Sequence, residues 1–456
     1  MHPLLVRRLV YPLHERLKGK RTLARLRELE RTQWLDPPSL RDLQLRRIRA
    51  HLEWAYREVP YYRHLLDEHG CPPPTVNSLE DFARIPFLTR DLIRRHFADL
   101  QPRTPLRGAQ RVSTGGSTGA PVTVLVDRER TAFTDAARLR AHRWFGVGAG
   151  AREVVLWGSP IEIGRQDRLR ALRDRLINSR LLSAFDLSEA ALARYARILA
   201  RDRPAKLYGY ASALALLAGH VARVGWRPGA AWPTVAFTTA EPLYDWQRRA
   251  IQSAFGCAVS VEYGARDAGL IATECPAGGL HIPAEGMVVE VLPAGSGDGA
   301  GRGELVVTNL HSYALPIIRY RTGDVGALRD AACPCGRGLP GLDRIEGRTT
   351  DFLVTPGGRV MHALAVIYVL REVPCVREFQ VIQERSDRVR VCVVPDGGFT
   401  DSTRTAIAAG LGRVLGPGVA VAVETTGEIA RPTSGKHRYV ISEIADRYLD
   451  ALGGPR

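Results

Sequence analysis

Between residues 105 and 310 short apolar runs alternate with segments whose apolar residues recur every third or fourth position. VVLWGS (154–159), TVAFTTA (234–240) and AVSVEYGA (258–265) are of the first kind, LARYARILA and SALALLAGHVARV of the second. Strands alternating with helices in this way predict an α/β architecture built on a largely parallel sheet. In such sheets ligands collect at loops beyond the carboxyl ends of strands. MVVEVL, the turn-rich PAGSGDGAGRG and ELVVTNL predict a hairpin with a long glycine-rich loop. Past Gly347 the pattern changes to α+β: DFLVTPGGRVMH reads as strand, turn, strand, followed by a helix (AVIYVLREV), strands EFQVIQER and RVRVCVVP, a helix over 401–415, strand VAVAVET and a last helix. That stretch is long enough for an independent small domain. The expected division is a large domain over 1–345, helical over 1–100, and a small mobile α+β domain over 346–456.

Composition narrows the function classes. The chain has 456 residues, 45% of them hydrophobic and 25% charged, which excludes a disordered tail or linker. Lysine and arginine outnumber aspartate and glutamate by 64 to 48, a net charge of +16. Only Lys18, Lys20, Lys206 and Lys436 are lysines, a skew that resembles coding bias more than a nucleic-acid footprint. Residues 1–60 are Arg-rich, with Leu23, Leu26 and Leu29 at helical spacing. They read as amphipathic helices and leave open a peripheral contact with an anionic membrane. Tyr11, Trp34, Trp54 and Tyr56 are the only tyrosines and tryptophans in this basic stretch and do not alternate regularly with its arginines, which argues against a specific nucleic-acid site. Seven cysteines, an odd number in a chain this long, do not make a disulfide framework and point to a reducing cytosol. No apolar run approaches the ~18 residues of a membrane span. A homodimer is also left open.

The strongest local signal is Thr114-Gly115-Gly116-Ser117-Thr118-Gly119, just before the strand-like VTVLV. Three glycines let a backbone approach a polyphosphate closely, and hydroxyls and N–H groups donate to its oxygens. The segment lacks the lysine of a P-loop and fits no dinucleotide fingerprint. Tyr263-Gly264-Ala265-Arg266-Asp267, Tyr320-Arg321-Thr322-Gly323-Asp324, Arg344-Ile345-Glu346-Gly347-Arg348 and Arg431-Pro432-Thr433-Ser434-Gly435-Lys436 follow in that order. With these five motifs the chain resembles the adenylate-forming superfamily, and within it the phenylacetate-CoA ligase branch with its capsule-cluster relatives. The resemblance runs from VPYYRHLL (59–66) and PFLTRDLIRRHF (86–97) to Lys436.

It implies an enzyme that joins a carboxylic acid, aryl or arylacetyl, to ATP and passes the acyl group to coenzyme A, or, as the alternative, to an amine. A non-catalytic basic surface-binding protein on the same fold is the reading from another class. By the same resemblance Thr114 to Gly119 form the phosphate loop, and Ala240-Glu241-Pro242, Tyr263 and Gly264 flank the adenine. Asp324 receives the ribose hydroxyls, Arg348 approaches ribose or phosphate, and Thr350 is the hinge of the C-terminal lid. Asp267 stands where relatives usually carry a glutamate that binds magnesium. Lys436, the only lysine after Lys206, reaches the carboxylate and α-phosphate during adenylation, where a cation offsets charge developing as pyrophosphate leaves. Trp157, Tyr208, Tyr210 and Phe237, near strand ends, are expected to line the acyl pocket. Cys275, His281, Cys333 and Cys335 supply the donors of a tetrahedral structural zinc, though not at finger spacing; some members of the branch are similar in carrying Cys and His here.

Overall fold

The computed structural model describes residues 1–113, 122–157, 167–184, 187–226, 233–241, 243–293, 301–346, 352–358, 360–429 and 439–444. Among them, eleven strands form one sheet, in the order Met287–Pro293, Arg302–Asn309, Ile317–Arg329, Gly341–Glu346, Leu280–His281, Gly269–Glu274, Ala258–Ala265, Val235–Thr239, Lys206–Tyr210, Glu153–Trp157, Ser179–Ser183. The last five of these pair parallel, as the alternating pattern predicts, and the rest antiparallel. The predicted hairpin forms, Met287 opposite Asn309.

The parallel half is buried on both faces by helices, and the sequence shows why. All five residues of Val235–Thr239 are buried. Helix Ala211–Arg223 is apolar on every side and buries ten of its residues, as a helix enclosed between sheet and neighbours must. Glu189–Asp202 starts at Ser188, whose side chain accepts from the Ala191 N–H, and Asp245–Phe255 ends at Gly256 with φ 62°; both are standard helix stops and starts. Gly209 has a closer constraint: a Cβ there would lie 2.4 Å from the Leu156 carbonyl oxygen of the adjacent strand.

The antiparallel half rests on the N-terminal helices. Ile48, Leu52 and Ala55 of helix Pro37–Glu58 and Tyr62 and Leu66 of helix Pro60–Glu68 share a core with Ile271, Leu305, Val307 and Ile317. Strands Gln110–Ser113 and Thr123–Val126 make a separate antiparallel pair, Ser113 opposite Thr123, on either side of residues 114–121. The large sheet ends at Glu346. Beyond it Phe352–Val354 pairs with Val360–His362, and a four-stranded sheet of order Ala420–Thr425, Arg388–Pro395, Val376–Arg385, Val440–Ser442 packs against helices Leu364–Arg371 and Asp401–Leu415. The helix over 401–415 sits where its pattern places it; the expected last helix lies outside the described residues. Among the described residues no helix is long and apolar enough to cross a membrane.

Candidate active site and metal cluster

A cavity of about 410 Å³ opens at the carboxyl ends of strands Val235–Thr239 and Ala258–Ala265, where the parallel and antiparallel halves of the sheet meet. Six of the residues singled out in the sequence line it: Ala240, Glu241, Tyr263, Gly264, Asp267 and Asp324. Ala240 turns the chain out of its strand with φ 67°, a left-handed conformation that costs a non-glycine residue about 1–3 kcal/mol and concentrates at functional sites. The turn aims Glu241 at the start of helix Ala211–Arg223, where its carboxylate accepts from the Ser212 N–H at 3.1 Å. Glu241 thus compensates the helix dipole.

Tyr263 and Asp324 meet across the cavity: the tyrosine hydroxyl donates to Asp324 Oδ2 at 2.9 Å. Asp324 follows Gly323, whose φ of 80° makes the turn, and its N–H donates to Thr322 Oγ1 at 3.1 Å.

Asp267 is buried and held from two sides. Its Oδ2 accepts from the Tyr320 hydroxyl at 2.5 Å and lies 4.0 Å from Arg90 Nε, while its Oδ1 accepts from the Ala268 N–H at 3.1 Å. Arg90 Nε donates to the same Tyr320 oxygen at 3.1 Å. Burial, then the Asp267 charge, pushes the Tyr320 phenol well above its ordinary value, so it remains a donor. Arg130 completes the surround. Its Nη2 donates to the Arg266 carbonyl at 2.8 Å, and burial pulls its guanidinium down to about 10. Arg90 and Thr322 also line the cavity; Thr322 belongs to the Tyr320–Asp324 string but was given no role of its own, and Arg90 was not singled out in the sequence. Arg90 arrives because Leu88 bridges to Tyr320 in parallel, with Leu88 N–H on the Arg319 carbonyl at 2.9 Å and Arg321 N–H on the Leu88 carbonyl at 3.0 Å. Its only sequence signal was the segment PFLTRDLIRRHF.

The expected acyl-pocket residues do not line this cavity. Phe237 is fully buried, 4.0 Å from the His142 ring and 5.5 Å from Phe145, because the two-residue strand period turns it toward helix Arg128–Trp144. Tyr208 stands behind the cavity wall: its hydroxyl donates to Glu262 Oε1 at 2.7 Å, and Arg138 clasps the same carboxylate with Nε 3.0 Å from both oxygens. Trp157 stacks on Tyr210 with ring centroids 4.4 Å apart. The phosphate-loop residues Thr114 to Gly119, Pro242, Arg348, Thr350 and Lys436 lie outside the described residues.

Next to the cavity, whose lining includes Gly278 and Leu280, the donor atoms of Cys275, His281, Cys333 and Cys335 all lie within 4.8 Å of one another. Cys275 Sγ is 3.6 Å from Cys333 Sγ, and Cys335 Sγ 3.2 Å from His281 Nε2. A tetrahedron of zinc–sulfur bonds of ~2.3 Å has edges of about 3.8 Å, so the set has the right size. His281 Nδ1 donates to the Leu339 carbonyl at 3.1 Å, and burial holds the imidazole down at about 4. The ring is therefore neutral with its Nε2 lone pair facing the thiols, the arrangement of a metal-ligating histidine. Burial raises Cys275 to about 11; at Cys335 burial acts the same way, but hydrogen bonds from Arg337, Cys333 and Cys275 together outweigh it and lower the thiol. Gly279 leaves the space open: a Cβ there would stand 2.5 Å from Cys333 Sγ and 3.1 Å from His281 Nε2. These residues fit a zinc ion.

Comparison with known proteins follows the same line. The CapK C-terminal domain family matches residues 353–443. The chain is 27% identical to a phenylacetate-coenzyme A ligase of Thermus thermophilus over 76% of its own length and 78% of that protein's, and 23% identical to Protein CapK of Staphylococcus aureus over 77% and 78%. The chain is thus similar to the phenylacetate-CoA ligase-like branch of the adenylate-forming superfamily. By class it is an AMP-forming ligase. The ligase shares its fold with 2-hydroxyisobutyryl-CoA ligase, crystallised with 2-HIB-AMP and CoA in the thioesterification state: the TM-score is 0.63 at 22% identity, over 93% of this chain and 94% of that one.

Proposed function

We propose that this ligase activates an aryl or arylacetyl acid with ATP, releasing pyrophosphate, and transfers the acyl group from acyl-AMP to coenzyme A. The observation that carries the reading is the pairing of Tyr263 with Asp324 in a cavity at the strand ends. A flat aromatic face and a two-oxygen carboxylate suit an adenine ring and a pair of ribose hydroxyls. The phenylacetate-CoA ligases among the relatives support both the aryl acid and the thiol acceptor.

Each residue then has a task. Thr114 to Gly119 cradle the phosphates with backbone N–H groups, and Arg90, at the cavity wall, offers a guanidinium to an anionic reactant. Asp267 keeps a spare lone pair on each oxygen, enough for one contact to magnesium arriving with the phosphates; that ion would neutralise charge on the leaving pyrophosphate. Arg348 and Lys436 bring further positive charge to the α-phosphate, and electrostatic clamping with in-line positioning supplies most of the rate. Turning the small domain about Thr350 withdraws Lys436 and admits coenzyme A. A zinc in the Cys275, His281, Cys333 and Cys335 cluster would pin the turn after Gly269–Glu274 to the turn before Gly341–Glu346, two strands that flank the cavity. Free thiols at all four remaining cysteines suit a cytoplasmic setting.

The test is pyrophosphate exchange into ATP with a panel of acids, followed by product masses with coenzyme A or amines as acceptor. Exchange with aryl acids and a thioester product is expected. Amide without thioester overturns the acceptor, and no exchange with any acid overturns the activity.

A further inference from the structure

The mechanism leaves one surface unused. Residues 3–17 form a single helical run, whose middle turn, Val6–Val10, is a π-helix. The wider turn precedes Pro12, which has no N–H to donate within the helix. Along this run the leucines repeat every fourth residue and face outward: Leu5, Leu9, Leu13 and Leu17 are 46%, 59%, 54% and 80% exposed, and Leu4 is 52% exposed. Side chains four apart lie on one face, so they make a continuous apolar stripe. Scattered exposed leucines need no explanation; an aligned row of them does.

The inner face is pinned, which fixes the outer one. Val6 is fully buried, and Gly150 approaches so closely that a Cβ there would lie 2.8 Å from the Pro3 carbonyl oxygen. The Met1 amine donates to Asn178 Oδ1 at 2.8 Å, and Lys20 pairs with Asp135 at 2.9 Å. Through Asn178 the run sits beside helix Asp167–Leu176, which adds exposed Leu172 and Leu176.

The charge carried by the run itself is predominantly positive. Residues 1–21 carry Arg7, Arg8, Arg16, Lys18, Lys20 and Arg21 against a single acid, Glu15, and Glu15 is buried. Among the described residues Arg7, Arg8 and Arg16 have no carboxylate partner. Burial and then the charges of Arg173 and Lys20 hold the Lys18 ammonium below its ordinary value, against the opposing charges of Glu15 and Asp135. Two copies of this face would bring like charges together. An anionic bilayer offers the complementary pair, acyl chains for the leucines and headgroups for the arginines. We propose that helix Pro3–Leu17, with Leu172 and Leu176, docks the enzyme in the plane of an anionic membrane surface.

The test is co-sedimentation of the full chain with vesicles of phosphatidylcholine alone or with about 30 mol % phosphatidylglycerol, an anionic content of the physiological order. Partition onto the anionic vesicles is expected to exceed that onto neutral ones at least ~10-fold and to fall several-fold between about 0.1 M and 0.5 M salt as screening shortens. The combined Leu5→Gln, Leu9→Gln, Leu13→Gln and Leu17→Gln variant should lose at least ~30-fold in partition, since binding scales with buried apolar area. Arg7→Gln, Arg8→Gln and Arg16→Gln together should remove the preference for anionic lipid, and both variants should keep the wild-type melting temperature and pyrophosphate exchange. Equal binding by the leucine variant, no sedimentation of the wild type with either vesicle, or a concentration-dependent dimer that the leucine variant abolishes would each overturn the proposal.

Discussion

Gly279 offers a sharp test of the metal cluster because the change is one methyl group. In the structure a Cβ at this position would stand 2.5 Å from Cys333 Sγ, and 3.1 Å from both His281 Nε2 and Arg329 Nη1. The arginine end can swing away; the two ligand atoms cannot move without altering the site. Carbon and sulfur sit comfortably at about 3.7 Å, so the thiol must retreat by roughly 1.2 Å, several times the ~0.2 Å tolerance of a zinc ligand. Gly279→Ala should therefore lower zinc affinity at least ~100-fold and leave purified protein with well under one zinc per chain by elemental analysis. Overpacking alone costs about 1–3 kcal/mol, but without metal the thiol is free to rotate and that cost shrinks. The variant should accordingly melt where chelated wild type melts, and chelator should lower its midpoint no further. A Gly279→Ala protein with a full zinc complement and a wild-type melting temperature would refute the argument, as would a variant that chelator destabilises as much as it does the wild type.

Three further outcomes are expected. Asp324→Asn should raise KM for ATP several-fold in pyrophosphate exchange, as the net gain of a hydrogen bond that replaces another is about 0.5–1.5 kcal/mol, with the circular dichroism spectrum unchanged. Lys436→Ala should cut acyl-adenylate formation at least ~100-fold while synthetic acyl-AMP is still consumed with coenzyme A; equal loss in both half-reactions would remove Lys436 from adenylation. Burial holds His51 down at about 4 and keeps His142 and His311 well below their ordinary value. The unfolded chain binds more protons than the folded one below about 6.5, so stability is complete above that pH and declines as pH falls, by at most about 2 kcal/mol per histidine at pH 5. Urea midpoints at falling pH check this, and His51→Phe should flatten the slope.

The parts of the fold that follow from local pattern were legible in the sequence. Strand Ala258–Ala265, hairpin Met287–Asn309 and helix Asp401–Leu415 lie where periodicity and turn residues place them. Pattern does not say that the antiparallel strands from Gly269 to Glu346 continue the parallel sheet, because that joint depends on pairing between distant segments. The site divides the same way. Tyr263, Asp267 and Asp324 stand in recognisable strings that the fold gathers at one cavity. Arg90 enters through a bridge between Leu88 and Tyr320, segments far apart in the chain. Phe237 does not line this cavity because nearness to a strand end does not say which face a side chain takes; one residue either way decides it. The clasp of Arg138 on Glu262, with Tyr208 donating beside it, joins three elements and leaves no mark in any one of them.

If the pocket takes a nucleotide as proposed, the bond from Tyr263 to Asp324 bears on how it would be read. In that reading the carboxylate is meant for two ribose hydroxyls, and the phenol already occupies one of its oxygens. The phenol keeps that seat warm for the sugar. When a ribose arrives, one O–H leaves the aspartate and another takes its place, an exchange between like partners whose net gain is about 0.5–1.5 kcal/mol rather than the full strength of a new bond. A nucleoside without its phosphate tail has little with which to pay for entry, so adenosine should compete poorly with ATP, and discrimination should rest on the charged end of the molecule.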